Sequence, residues 1–389
     1  VEHVLAILAP GQGAQTPGFL TPWLDLPEVA RRVEWASAVV GRDLVALGTK
    51  GTEDEIRDTA ACQPLLVAVG IAVGRALVGD APLAPWYAGH SVGELTVAAL
   101  SGALSDEAAL VLARERGAAM AAAAAVVATG MSAVLGGAVE KVEAAVAEAG
   151  LEIANVNGAG QVVVAGALDA LATLPTRLDG VARVMPLKVA GAFHTSYMAP
   201  ARDRLAALAG ALPVTDPAAR LLSNADGSVV SSGADLVERL VRQVASPVRW
   251  DECLATLAAA GVTAVVELPP AGTLTGLVRR ELREVTAVAL RTPDDLPAAR
   301  NAVTEHAATS VGHEPAWRVV VAPGAGTFTP SQVERLAPGA LLGRIAGRRD
   351  AFHDVVAPDG GVVVEWLALD GDPVKPGQPL ARLYPLGTE

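Results

Sequence analysis

The chain has 389 residues, room for two or three structural units, and 51% of them are hydrophobic against 19% charged, so a large core forms and general disorder is excluded. A formal net charge of -12 opposes non-specific binding to nucleic acid, whose phosphates it repels. Two cysteines, Cys62 and Cys253, cannot build a disulfide framework, and no CxxC or Cys/His cluster suggests zinc; a reducing, cytoplasmic setting is expected.

The first residues, from Val1, lack the basic start and long apolar stretch of a signal peptide. The apolar run 3–9 stops at Pro10 and a glycine-rich loop, which predicts a buried strand followed by a functional turn. Helical patterning follows over 27–45 and 63–77, then a short strand over 86–88 and a helix over 94–104. This alternation predicts an α/β unit with a mainly parallel sheet. The long uncharged run 117–139 carries Thr129, Gly130, Ser132, Gly136 and Gly137, and reads as helix, turn and strand; no membrane association is expected.

The middle of the chain predicts strands over 131–135, 153–156, 161–165 and 182–189, with helices over 139–149 and 168–174, a compact sheet-plus-two-helices unit inserted in the larger one. After Gly191 the α/β pattern resumes, with helices over 198–211 and 234–244 and a buried strand over 264–268 before the turn at Pro269. A linker rich in Ala, Ser, Gly and Glu is expected over 304–316. Beyond it lies an internal repeat. Val321-Ala322-Pro323-x-x-Gly326 recurs as Val356-Ala357-Pro358-x-x-Gly361, and Pro338-Gly339-x-x-Leu342-x-Arg344 as Pro376-Gly377-x-x-Leu380-x-Arg382. Short apolar strands between Pro-Gly turns, given twice, predict a small two-fold β sandwich.

Gly89-His90-Ser91-Val92-Gly93 has the form GxSxG, in which two glycines permit a sharp strand-to-helix turn that presents a serine hydroxyl at a helix N-terminus. The Val92 N–H then points at the oxyanion formed when Ser91 attacks an acyl carbonyl. A serine hydroxyl needs a base. Of six histidines, His90 is turned aside by the elbow, and His306 and His313 fall in the linker; His194, in Gly191-Ala192-Phe193-His194-Thr195, sits at a strand end where α/β sites gather. The loop Gly11-Gln12-Gly13-Ala14-Gln15 lets backbone N–H groups approach an anion, with Gln12 as a second oxyanion donor, but lacks the GK[ST] ending of a phosphate loop. Arg116, on an apolar Ala-rich helix, is expected either to snorkel or to meet a carboxylate in a bidentate pair.

In this order, GQGAQ, GHSVGE, Arg116-Gly117, Asn155-Val156-Asn157-Gly158-Ala159-Gly160-Gln161, GAFHT, and Gln243 ahead of Pro247-Val248-Arg249-Trp250, the chain resembles the malonyl-CoA:acyl carrier protein transacylase family over about residues 4–308. The likeness is to the enzyme of bacterial type II fatty-acid synthesis, of the actinobacterial kind; four lysines among many Ala, Val and Arg suit a GC-rich genome. The resemblance implies an α/β-hydrolase-like large subdomain (1–127 and 191–303) with a ferredoxin-like insert (128–190). It implies Ser91 as nucleophile, His194 as base oriented by a main-chain carbonyl at Gln243, and the Gln12 and Val92 amides as oxyanion hole. Arg116 would hold the malonyl carboxylate, Asn157 and Gln161 would line the cleft, and Phe193 would crowd an α-methyl branch. Ser246 departs from the Asn usual before Pro-Val. No cofactor is implied; malonyl-CoA and an acyl carrier protein are the expected substrate and partner, with Lys188, Arg279 and Arg280 facing an acidic carrier. A serine thioesterase or esterase shares GxSxG and histidine but has no use for Arg116, and a polyketide-type acyltransferase serving another carrier shares the whole set.

The C-terminal segment 317–389 resembles the biotinyl/lipoyl carrier fold, an all-β sandwich. Its acceptor hairpin, Gly347-Arg348-Arg349-Asp350-Ala351-Phe352-His353, holds no lysine, and Lys375 lies in a different turn. Attachment of biotin or lipoate is therefore not expected; the module reads as a docking element toward a partner enzyme or carrier, or as a stabilising appendage.

Overall fold

The computed structural model describes residues 3–78, 84–189, 191–311, 318–331, 333, 335–347, 351–357 and 361–384. Ala190, most of the second half of the expected linker, Arg348 to Asp350 of the hairpin and Pro358-Asp359-Gly360 of the repeat lie outside them. The chain forms two units, residues 1–309 and 310–389, and combines helices with parallel, antiparallel and mixed sheets.

The first unit is organised around Leu5–Ala9, the central strand of a five-stranded sheet. Trp86–Gly89 and Ala264–Glu267 flank it, Arg220–Leu222 and Thr286–Ala289 form the edges, and every pairing is parallel. Both faces of such a sheet are covered by helices, so its strands need no polar side. Leu5 and Ile7 accordingly enter one core with Tyr87, while Ala6 and Leu8 enter the other with Trp86 and Trp250. Because later strands lie on both sides of Leu5–Ala9, the strand order turns back there, and loops leaving its carboxyl end open onto a crevice.

The helix Thr59–Val78 covers one face. It is long and apolar enough to cross a membrane, yet 83% of its most hydrophobic stretch is buried within the protein, as a core helix requires. The expected helix over 27–45 is two helices, Pro27–Val40 and Leu44–Lys50; Gly41, at φ +67°, ends the first in a left-handed C-cap. The expected linker is also corrected: helix Leu296–Val311 runs through its first half, since an Ala-rich stretch without Pro is good helix material.

Within the first unit, Thr129–Leu135, Val139–Glu148, Glu152–Gly158, Gln161–Ala167, Leu168–Arg177 and Arg183–Pro186 run strand, helix, strand, strand, helix, strand. Their antiparallel sheet has the order Arg183–Pro186, Thr129–Leu135, Gln161–Ala167, Glu152–Gly158. The open edge of Glu152–Gly158 takes up Val248–Arg249 in parallel, with Asn155 opposite Val248. That two-residue strand joins this sheet to the segment just after Gln243.

The second unit consists of two four-stranded antiparallel sheets. One has the order Arg318–Val321, Pro379–Tyr384, Gly361–Trp366, Arg335–Leu336; the other Phe352–Ala357, Ala340–Ala346, Gly326–Pro330, Pro373–Val374. Each sheet takes two strands from each copy of the sequence repeat, in the same order. The repeated residues do matching work: Leu342 and Leu380 are fully buried, and Gly339 and Gly377 turn at φ +76° and +80°. Gly339 N–H donates to Ala357 O at 2.7 Å and Gly377 N–H to Ala322 O at 2.8 Å. Leu342→Ala and Leu380→Ala should therefore destabilise this unit by similar amounts, about 2–5 kcal/mol each, read from hydrogen exchange of its strand amides; a large effect at only one position would contradict the two-fold packing.

Candidate active site

Ser91 follows the strand Trp86–Gly89 and precedes the helix Gly93–Leu100 at the carboxyl end of the parallel sheet. The chain turns so sharply that a Cβ on Gly89 would lie 2.1 Å from the Gly93 carbonyl carbon, and one on Gly93 would lie 2.2 Å from the Ala9 oxygen. No side chain fits at either place, which is why the pattern demands both glycines. Ser91 between them is forced to φ +54°, a left-handed conformation costing a non-glycine residue about 1–3 kcal/mol. Asn224, after the strand Arg220–Leu222, fastens the turn: its Oδ1 accepts from Ser91 N–H at 2.7 Å and its Nδ2 donates to Gly89 O at 2.7 Å.

His194 Nε2 lies 2.7 Å from Ser91 Oγ, and its Nδ1 lies 2.8 Å from the Gln243 main-chain oxygen. A carbonyl can only accept, so Nδ1 carries the proton of the neutral ring and Nε2 is left to accept from the serine hydroxyl. Burial, aided by the Arg116 charge, pushes the imidazole down to about 3, so it is an unprotonated acceptor at neutral pH. His194 is itself left-handed at φ +62°.

Arg116 is buried on the helix Asp106–Ala124. Its Nη2 donates to Ser91 Oγ at 3.2 Å and to Gln243 Oε1 at 2.8 Å, and its Nη1 donates to Gln63 Oε1 at 2.7 Å. Burial lowers it to about 10, which leaves it cationic at neutral pH. The Gln243 amide nitrogen donates in turn to the carboxylate of Glu94, which is buried and also accepts from Asn224 N–H at 2.5 Å. The expected Gln243 thus binds His194 through its carbonyl and both Arg116 and Glu94 through its side chain.

A cavity of about 630 Å³ opens over this cluster between the antiparallel sheet and the loops of the parallel one. Ser91, Val92, His194, Gln12, Phe193, Asn157 and Gln161 all line it; Arg116 is not among its lining residues and meets it through its hydrogen bond to Ser91 Oγ. The Gln12 side chain donates to Arg57 O and Thr59 Oγ1, at 3.2 and 3.3 Å. Asn157 Oδ1 accepts from His90 Nε2 at 3.0 Å, and the His90 ring tilts against Trp250; His90 is a wall residue. Gln161 accepts from Arg280 Nη2 at 3.4 Å across the cavity. Lys188 and Arg280 line this opening, whereas Arg279 is turned to Ala287 O. Sequence reasoning missed Asn224, Gln63 and Glu94. A single Asn after a strand reads as turn chemistry, a Gln within an apolar helix as an isolated polar residue, and only the invitation of GxSxG to look one residue further marks Glu94.

Comparison with known proteins bears on residues 8–313, which match the model of the acyl transferase domain family. The malonyl CoA-acyl carrier protein transacylase of Mycobacterium tuberculosis is 49% identical over 296 residues, 75% of this chain and 98% of that protein. The Escherichia coli K12 transacylase is 33% identical over 306 residues, covering 76% and 98%. The crystal structure of the Mycobacterium tuberculosis enzyme superimposes with a TM-score of 0.74 at 48% identity, covering 77% of this chain and all of that one. A malonyl transacylase in complex with a type II polyketide acyl carrier protein gives 0.73 at 30% identity, covering 77% and 99%. The family match ends ahead of the strands of the second unit.

The elbow geometry yields a ranking. Gly89→Ala should destabilise the first unit by more than about 4 kcal/mol, and Asn224→Ala by about 1–3 kcal/mol through its unmet partners, both measured by urea denaturation. A Gly89→Ala protein as stable as the parent would contradict the close approach.

Proposed function

Since the chain belongs to the acyl transferase family and transfers malonyl from coenzyme A to an acyl carrier protein, we propose that Ser91 carries the malonyl group between them. The observation that carries the assignment is the buried Arg116 guanidinium 3.2 Å from Ser91 Oγ, a fixed cation where the far carboxylate of a three-carbon diacid would end.

Ser91 Oγ attacks the thioester carbonyl while His194 Nε2 takes its proton. The oxyanion is received by the main-chain N–H groups of Gln12 and Val92, which flank the cavity above Ser91. Collapse of the adduct expels coenzyme A as a thiolate that recovers the proton from His194. In the second half the carrier's phosphopantetheine thiol gives its proton to His194 and attacks the malonyl ester, restoring Ser91. These steps need no cofactor. Arg116 selects for malonyl because a neutral acyl group would leave a buried cation unmatched, and Phe193 on the cavity wall disfavours an α-methyl branch. Asn157 and Gln161 shape the channel for the pantetheine arm, and Lys188 and Arg280 at the opening suit an acidic carrier.

The architecture fits an α/β-hydrolase-like subdomain carrying a ferredoxin-like insert, the reading supported by the parallel sheet and by the βαββαβ order within it. The two-fold sandwich after it fits the biotinyl/lipoyl carrier fold, used here as an unmodified docking module toward a partner. A cytoplasmic role in fatty-acid synthesis follows from the substrate pair. The structural relative bound to a polyketide carrier favours a second reading, in which the chain serves such a carrier.

Incubation with malonyl-CoA alone should give a malonyl adduct on Ser91 by intact mass and peptide mapping, absent from Ser91→Ala; an adduct that persists in Ser91→Ala sinks the assignment. Arg116→Ala should lower the preference for malonyl-CoA over acetyl-CoA by about 10²- to 10³-fold in kcat/KM, and an unchanged ratio would remove Arg116 from substrate selection.

A further inference from the structure

The positive charge of Arg116 has a resident claimant. Among the described residues Arg116 makes no direct ion pair; its hydrogen bonds go to Gln63, Gln243 and Ser91. The nearest link to a carboxylate runs through one amide. Gln243 Oε1 accepts from Arg116, and Gln243 Nε2 donates to Glu94. Glu94 is 3% exposed and both of its oxygens accept N–H groups, from Gln243 and from the Asn224 main chain. The catalytic steps above make no use of it. We propose that Glu94, where it is ionised, is the counter-anion of Arg116 in the free enzyme, and that the substrate carboxylate displaces it electrostatically, so that malonyl binding to that form drives a proton onto Glu94. This rests on Arg116 being the carboxylate-binding residue.

The charges that face Glu94 make the exchange a close contest. Burial pushes its carboxyl up to about 8, against the pull of the Asn224 N–H, Arg116 and Arg239. Arg239, on the helix Gly233–Gln243, is already held by Asp226 and Asp235 at 2.8 and 2.6 Å, and Asp226 opposes ionisation of Glu94. Cys253, from the helix Trp250–Ala259, is a buried thiol held protonated by desolvation and by the Glu94 charge. His194 is neutral, so it adds no charge. Arg116 is therefore the cation that Glu94 and an incoming carboxylate share.

The sign follows. A second carboxylate on Arg116 weakens what keeps Glu94 ionised, so its proton affinity rises above the free-enzyme value. Below pH 8 Glu94 is largely protonated already, and malonyl meets an unopposed cation. Above pH 8 binding must bring a proton with it, and affinity for malonyl falls by up to about tenfold per pH unit, the slope for one proton taken up per ligand. An acetyl group makes no claim on Arg116 and takes up no proton.

The test is calorimetric titration of malonyl-CoA into the full-length Ser91→Ala protein, in buffers of differing ionisation enthalpy, at about pH 6.5 and about pH 8.5. The expected result is proton uptake at the higher pH, little at the lower, none with acetyl-CoA, and none after adding Glu94→Gln. Glu94→Asp, which keeps the carboxyl, should retain uptake at a shifted pH and stands in where the Gln variant does not fold. Preferential binding of malonyl-CoA over acetyl-CoA without proton uptake would overturn the role of Glu94 and leave that of Arg116 intact. Equal binding of the two esters would overturn Arg116 as the carboxylate site, and the inference with it.

Discussion

The structure depends on a close approach: the chain on either side of Ser91 passes so near itself, and so near the Ala9 carbonyl, that Gly89 and Gly93 admit no side chain. That approach fixes the serine in a left-handed conformation at the top of the central strands. A strained nucleophile of this kind persists only where its surroundings over-determine it, and the surroundings here are unusually complete. Both faces of the sheet below are sealed by apolar side chains, and Asn224 grips the turn at the Gly89 oxygen and the Ser91 N–H. His194 lies in the same left-handed region. Nucleophile and base are thus both placed by backbone strain, and neither can relax without moving the other.

The polar groups beneath the serine form a single connected set. Arg116, Gln63, Gln243, Glu94 and Asn224 are buried and hydrogen-bonded, in a region where an unmatched polar atom would cost about 1–3 kcal/mol. Gln243 is the junction. Its carbonyl fixes the imidazole tautomer, its amide oxygen takes one arm of Arg116, and its amide nitrogen reaches Glu94. Orientation of the base and placement of the cation therefore come from one residue at a helix end, itself next to the short strand Val248–Arg249 that closes the edge of the antiparallel sheet.

Much of this was legible in the sequence because it is carried by local pattern. Uniformly apolar runs such as 5–9 announce strands buried on both faces, GxSxG announces its own turn, and the duplicated Pro-Gly motifs of the second unit recur as equivalent strands in both sheets. What the sequence hid is set by long-range geometry. The Ser91 turn is fastened by Asn224, 133 residues away, and Arg116 by Gln63, 53 residues away, and neither partner carries a local signature. Helix ends were the other weak point: Gly41 stops one helix early because a left-handed cap satisfies its last carbonyls, while the Ala-rich residues after 304 extend another where composition suggested a linker.

The placement of the buried carboxylate bears on what sort of catalyst this is. In a hydrolytic triad an acid sits behind the histidine and stabilises the imidazolium that forms during attack. Here a neutral carbonyl occupies that position, and the carboxyl of Glu94 is linked to Arg116 through the Gln243 side chain. Burial first, and the Arg116 cation second, hold His194 down to about 3 in the free enzyme, and no anion behind the ring offsets them, so it is a weak base. A weak base suffices for a thioester, whose thiol leaves readily at a pKa near 8.5. It is a poor activator of water toward an oxygen ester, which has a far more basic leaving group. A histidine backed only by a carbonyl therefore suits transfer between two thiols through a serine ester that must survive until the second thiol arrives, and it frees the one buried acid of the site to balance the charge that reads the substrate.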